Sequence, residues 1–176
     1  MRLNYHPHIG GGSHLSILMK LVNMTEGPIL ELGMGLFSTP YLHWACYDNK
    51  RTLVSCENKK DFHDMFIFND HREANNDYTY HKMIFVEDSD WDKIDLVDRH
   101  WSIVLVDHNP GPRRKEEIRR LANSADYILV HDSDDLNKHH RHYKFPEIYP
   151  LFKYRYDNNI YPRTTVLSNF KDLSDL

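Results

Sequence analysis

Apolar positions along the chain follow two rhythms. From Ser13 to Met24, Leu15, Ile17, Leu18, Leu21 and Val22 recur at helical spacing, and Ser13 stands where an N-cap would. Ile29 to Leu32 is a short apolar run and predicts the first strand. Ser38 to Tyr47 predicts a crossover helix, and Thr52 to Cys56 a second strand that ends at Glu57. A helix is expected over Asp61 to Phe68 and a third strand over Lys82 to Val86. Trp101 to Val106 is continuously apolar, as in a strand buried on both faces. Pro112 to Asn123 predicts a helix with proline in its first turn and Ile118 and Leu121 facing inward. Tyr127 to Val130 predicts a fifth strand. The tail changes rhythm: Tyr149 to Tyr156 and Thr164 to Leu167 alternate around Asp157-Asn158-Asn159, the pattern of an antiparallel hairpin. Alternating βα units followed by a hairpin predict an α/β fold: a doubly wound, mostly parallel seven-stranded sheet with a C-terminal antiparallel hairpin. No repeat or linker interrupts the pattern, so residues 1–176 read as one domain.

The chemistry-bearing residues gather where these strands end. In a doubly wound sheet, ligands sit beyond the carboxyl ends of the strands. After the first strand come Gly33, Gly35 and Ser38, a turn that brings backbone close to a ligand and opens a helix whose free N–H groups face it. Glu31 precedes this turn, and an acid there repels a pyrophosphate but suits a cationic amino group. Glu57 ends the second strand at about the 20-residue spacing of a ribose-binding acid. After the third come Glu87-Asp88-Ser89-Asp90-Trp91, where Asp88 could meet an adenine amino group and Trp91 could stack on the ring. Asp107-His108-Asn109 follows the fourth and His131-Asp132-Ser133 the fifth. Any one acid at a strand end is ordinary loop solvation or a helix cap; a polar cluster at all five is harder to explain so.

Glu31-Leu-Gly33-Met-Gly35-Leu-Phe-Ser38-Thr39, Glu57, Asp88, Val106-Asp107-His108 and the terminal hairpin resemble class I S-adenosylmethionine-dependent methyltransferases over about residues 13 to 170. Within the class, the Val-Asp-His and His-Asp pairs are similar to the catechol O-methyltransferase branch. The resemblance implies S-adenosyl-L-methionine as cofactor, with Glu31 and the glycine loop holding its methionine part, Glu57 its ribose and His108 lying against its adenine. It also matches Asp107 and Asp132 to two metal-binding positions. Two departures argue against a metal: Ser133 stands where the branch has asparagine, and Asn109-Pro110-Gly111 stands where it has a lysine base. The expected catalytic groups are therefore Asp107, His108 and His131, acting without metal, in methyl transfer to a small-molecule or sugar acceptor. The Gly33-x-Gly35-x-x-Ser38 spacing leaves an NAD-dependent oxidoreductase as the alternative, beside an aminopropyl-transferring or non-catalytic binder of the same cofactor type. Glu31 and the lack of length for a second domain argue against the oxidoreductase.

Composition changes this picture little. The 176 residues are 40% hydrophobic and 27% charged, with a net charge of −4, which gives no general footprint for nucleic acid. No apolar run reaches the about 20 residues of a membrane span, and the first residues lack a signal-peptide pattern, so a cytoplasmic protein is expected. The two cysteines, Cys46 on the first crossover helix and Cys56 in the second strand, read as buried free thiols. Among 13 histidines, those in Lys138-His139-His140-Arg141-His142 read as part of a solvated basic loop. Gly10-Gly11-Gly12-Ser13-His14 reads as a flexible entry to the first helix, or a lid, and Arg113-Arg114-Lys115 as an exposed basic helix start. The sequence sets no oligomeric state.

Overall fold

The computed structural model describes residues 9–66, 80–134 and 143–176. Seven strands build one sheet: β1 Ile29–Leu32, β2 Leu53–Glu57, β3 His81–Phe85, β4 Trp101–Val106, β5 Ala125–Val130, β6 Tyr154–Asn158 and β7 Thr164–Ser168. Their order is β3-β2-β1-β4-β5-β7-β6. The first five strands pair in parallel, and β7 joins β5 and β6 antiparallel. The sheet is thus the doubly wound, mostly parallel seven-stranded one that the pattern predicts, with its hairpin at one edge.

Helices cover both faces. On one side α1, Leu15–Met24, and α2, Ser38–Asp48, bury Ile17, Leu18, Leu21, Leu42 and Cys46 against Ile29, Leu53, Ile103, Leu105 and Leu129. On the other, α4, Arg114–Leu121, packs Ile118 and Leu121 with Trp91, Trp101, Phe145 and Ile148 over Leu30, Leu32, Val104, Val106 and Ile128. From Ile103 to Val106 alternate residues of β4 feed opposite cores, as Ile29 and Leu30 do in β1, which is why the end of β4 reads as a continuous apolar run. Each deeply buried side chain of this size contributes on the order of 1.5–3 kcal/mol.

Several local expectations shift. Ser13 does not cap α1: His14 holds the N-cap position, and the Ser13 hydroxyl donates to the Pro162 carbonyl at 2.7 Å. The third helix, α3, is Lys60–Met65, and the end of the expected 61–68 span lies outside the described residues. Between β3 and β4 the described chain forms only a 3₁₀ turn, Trp91–Lys93, so no full crossover helix separates those strands. Residues Tyr149–Leu151 also form a 3₁₀ turn, and β6 runs Tyr154–Asn158, through Asp157 and Asn158, which the sequence pattern assigns to the hairpin turn. The proline at 150 explains the late start, since it supplies no N–H for a sheet ladder. The Lys138–His142 segment lies outside the described residues.

Register is what places the site. Leu32 pairs with Cys56 and with Val106, and Val106 pairs with Val130. Four parallel strands therefore end level, and Gly33, Glu57, Asp107 and His131 leave the sheet along one edge.

Candidate functional site

A cleft of about 420 Å³ opens along that edge, within the usual range for a small-ligand site. β1 has neighbours β2 and β4 on its two sides and sits where the winding reverses, the position at which such sheets bind ligands. Gly35, Ser38, Glu57, Asp107 and His131, five of the residues singled out from the sequence, line the cleft. So do Met34, Phe37, Lys59, Phe62, Asn109 and Asp132.

The two glycines do different work. Gly33 has φ +96, and a Cβ there would lie 2.5 Å from the Asp107 carbonyl carbon and the His108 nitrogen. It is required by the backbone, behind the cleft. Gly35 has open space beside it, with only the Ser38 hydroxyl at 3.7 Å from a hypothetical Cβ. Its bareness keeps the cleft wall low where α2 begins, and its carbonyl accepts the Thr39 N–H at 3.2 Å in the first turn of that helix.

Glu31 sits elsewhere than the sequence reading expects. It is 0% exposed and lies beneath the start of α2, not on the cleft wall. Thr39 Oγ1 donates to its Oε1 at 3.0 Å and Ser55 Oγ to its Oε2 at 2.6 Å. Thr39 Oγ1 in turn accepts the Gly35 N–H at 2.9 Å. Burial pushes the Glu31 carboxyl up to about 7, against hydrogen bonds from Ser38, Ser55 and Thr39. The acid stabilises the glycine turn from behind. Ser55 continues the chain: it lies 2.9 Å from His81 Nε2, whose Nδ1 is 3.0 Å from His43 Nδ1.

Glu57 does face the cleft. Its carboxylate accepts the Met34 N–H at 2.7 Å and the Lys59 N–H at 2.6 Å, so it ties the glycine turn to the start of α3. Burial raises its pKa, and these backbone donors oppose the rise.

His108, Asp88 and Trp91 are not on the cleft wall. His108 is buried behind it, tilted against Trp91 at 4.3 Å between ring centres, with Nε2 3.1 Å from Glu117 Oε2. Burial lowers its pKa although Glu117 pulls the other way. Trp91 is fully buried in the core, and Asp88 accepts a bond from Asn58 Nδ2 in an exposed turn.

At the β4–β5 end a charged cluster forms. Arg114, read from the sequence as an exposed residue of a basic helix start, is buried. Its Nε donates to the His108 carbonyl at 2.7 Å, Nη2 to the Asp107 carbonyl at 2.9 Å and Nη1 to the His131 carbonyl at 3.2 Å. The same guanidinium lies 2.9 Å from Asp107 Oδ1 and 3.4 Å from Asp132 Oδ2. One side chain thereby clamps the ends of β4 and β5 together. Arg113 beside it is half-buried, not exposed as the sequence reading expects, and links the exposed Asp92 to the buried Glu117. His131 Nδ1 is 3.2 Å from Asp107 Oδ1, close enough for an ion pair but not aligned as a hydrogen bond. Burial opposes charge on both, yet Asp107 raises His131, and His131 with Arg114 holds Asp107 far below the usual carboxylate range. His14, from the start of α1, packs edge-on against the His131 ring at 4.7 Å between centres. The glycines before it are not a loose entry. Residues Ile9–Gly12 form a 3₁₀ turn, and Cβ atoms on Gly11 and Gly12 would meet the Phe37 ring at 3.2 and 3.0 Å.

No protein-family model matches the sequence, and no curated protein matches it. Solved structures do match its shape. The cofactor-bound Rv0187 of MTB is 12% identical with a TM-score of 0.64, over 96% of this chain and 84% of that one. The SAH-bound methyltransferase PaMTH1 of Podospora anserina is 15% identical with a TM-score of 0.64, over 91% and 78%. The O-methyltransferase TomG of Streptomyces achromogenes, in complex with SAM, is 14% identical with a TM-score of 0.60, over 94% and 92%. The chain has the class I methyltransferase fold. Within that methyltransferase fold, the missing signal from the sequence was tertiary: Arg114 and His14 belong to no strand-end motif, and nothing local marks either as buried. Among the described residues no helix is long and apolar enough to cross a membrane.

Proposed function

We propose that this chain is an S-adenosylmethionine-dependent methyltransferase acting on a small-molecule acceptor. The observation that carries the reading is the level meeting of the Gly33–Ser38 turn, the Glu57 carboxylate and the Asp107–His131 pair on one cleft. Glu57 keeps acceptor capacity for ribose hydroxyls beside its two backbone donors, and Phe62 next to it offers an aromatic face on the adenine side. Gly35 and the start of α2 provide the room and the N–H groups for a carboxylate-bearing tail. When bound, the cofactor supplies an activated sulfonium-linked methyl group. The chain's own task is to hold donor and acceptor in line and to exclude water. Asp107 and His131 stand at the far end of the cleft, and in this reading the Asp107 carboxylate accepts a hydrogen bond from the acceptor hydroxyl and so positions it. His108, cut off from the cleft, is left with a supporting role: it holds α4 through Glu117 and so positions Arg114.

Titration calorimetry tests the reading. S-adenosylmethionine and S-adenosylhomocysteine should both give heat, and NAD none. Heat with NAD and neither of the others would return the site to the dinucleotide alternative.

A further inference from the structure

His14 is 2% exposed, and among the described residues neither ring nitrogen has a hydrogen-bond partner. A buried imidazole with both nitrogens idle is unusual, because buried polar atoms are almost always satisfied. Its neighbour His131 carries a related oddity. The Ser13 hydroxyl spends its only proton on the Pro162 carbonyl, at 2.7 Å. At 3.0 Å from the same hydroxyl, His131 Nε2 must therefore be the donor. In a neutral ring that leaves a lone pair on Nδ1, and Nδ1 faces Asp107 Oδ1 at 3.2 Å and Asp132 Oδ1 at 3.7 Å. A lone pair set against two carboxylates calls for something positive between them. A proton on Nδ1 would answer for His131 alone and leave His14 as it is. A metal ion answers for both rings at once.

We propose that His14, Asp107 and His131 form a binding site for a divalent transition-metal ion at the inner end of the cleft. One donor atom from each lies within 4.8 Å of the others. Around a tetrahedral ion with bonds of about 2.0–2.2 Å the ligand atoms stand about 3.3–3.6 Å apart, so the three side chains close in by about an ångström to hold one. Two imidazoles and a carboxylate form a donor set for zinc, cobalt, nickel or iron(II) rather than for magnesium, which prefers an all-oxygen octahedron. The set therefore differs from the Asp107–Asp132 pairing implied by the sequence resemblance, and it draws one ligand from α1, far from any strand end. Three protein ligands leave a position open toward the cleft that all three line, and Asp107, with 27% of its side chain exposed, is the most accessible of them. Arg114 and Asp132 form the surrounding shell: the guanidinium orients Asp107 through both its carbonyl and its carboxylate. The site does not depend on the methyltransferase reading and can be tested without substrate.

The metal-stripped full-length chain is titrated with cobalt(II) and followed by visible absorption. A single ion should bind with ligand-field bands, zinc should displace it, and excess magnesium should not. His14→Gln and His131→Gln, checked for fold by circular dichroism, should each weaken cobalt binding by more than about tenfold, the loss that even an outer-shell partner can cause. A variant with His139, His140 and His142 all changed to Ala should bind as the parent does. If either glutamine variant fails to fold, the ring signals of His14 and His131 in the parent must broaden on cobalt addition. Cobalt binding unaffected by the folded glutamine variants, binding lost only in the triple variant, or ring signals that never respond would each overturn the site. So would an absence of bands with His131 carrying a proton on both nitrogens.

Discussion

At the β1–β2 end of the cleft, Glu31 and Glu57 are met by neutral donors: the hydroxyls of Thr39 and Ser55 and the backbone N–H groups of Met34 and Lys59. At the β4–β5 end, Asp107 and Asp132 are met by a guanidinium and an imidazole. The first arrangement raises the pKa of both acids, and the second drives Asp107 far down. Burial penalises the charge in both places. What differs is how closely a positive charge has been brought in to offset it: the Arg114 guanidinium of α4 touches Asp107, whereas Lys59 acts on Glu57 only as its weakest influence. Under the proposed function, the neutral end takes the polyhydroxylated part of the cofactor and the ionised end sets a fixed field beside the acceptor.

Removing the cation should separate the two ends most sharply. Arg114→Ala leaves two carboxylates facing each other and three carbonyls without their donor, and a broken buried network of this kind costs about 3–5 kcal/mol. Urea unfolding should show that loss. Arg114→Lys should recover only part of it, since an ammonium cannot span the fork of contacts. A cost under about 1 kcal/mol in the alanine variant would mean that the clamp is ornamental.

Next comes Gly33→Ala, which should cost about 2–3 kcal/mol from the strained φ and the contact with the Asp107–His108 peptide. Gly35→Ala has neither problem and should leave stability nearly unchanged while weakening cofactor binding. Equal stability losses at the two glycines would erase the distinction between turn and cleft wall.

Glu57→Gln should weaken binding of S-adenosylhomocysteine by about 1.5–3 kcal/mol, the worth of a charged hydrogen bond. Glu87→Ala, on the exposed turn after β3, should leave it unchanged. Calorimetry on the pair decides whether the β2 end carries the ribose.

The smallest effects are in the pH dependence, and they have opposite signs at the two ends. Glu31 rises from 4.5 to about 7 on folding, so its stabilising contribution is complete below 4.5 and is lost as pH rises through about 7. His14 falls from 6.5 to about 4, so its contribution is complete above 6.5 and is lost as pH falls through about 4. In unfolding measured across this range, Glu31→Gln should flatten the neutral-to-alkaline limb and His14→Gln the acid limb. His81, also lowered to about 4, should leave part of the acid limb in place.

Period and strand-end chemistry were enough to read the sheet, its hairpin and the edge on which the cleft opens. Parallel pairing makes that edge predictable: once β1, β2, β4 and β5 are recognised, level register brings Gly33, Glu57, Asp107 and His131 together without further information. The same local reading could not say which way a strand-end side chain points. Glu31 and His108 have the right positions in the sequence, yet alternation and helix packing turn one beneath α2 and the other toward Glu117. The basic run at 113–115 looks uniform, and only the docking of α4 on the sheet chose Arg114 for full burial and left Arg113 half-buried. His14 stands in a glycine-rich segment that reads as an entry or a lid, with nothing to mark its ring as buried. It reaches the cleft because α1 crosses the sheet face shared by β1, β4 and β5, a contact between residues more than a hundred positions apart. Sequence determined which strands end together, because backbone hydrogen bonding and burial act locally and repeat. Tertiary packing decided which charges those ends share, because a buried charge persists only where distant elements bring its partner within a few ångströms.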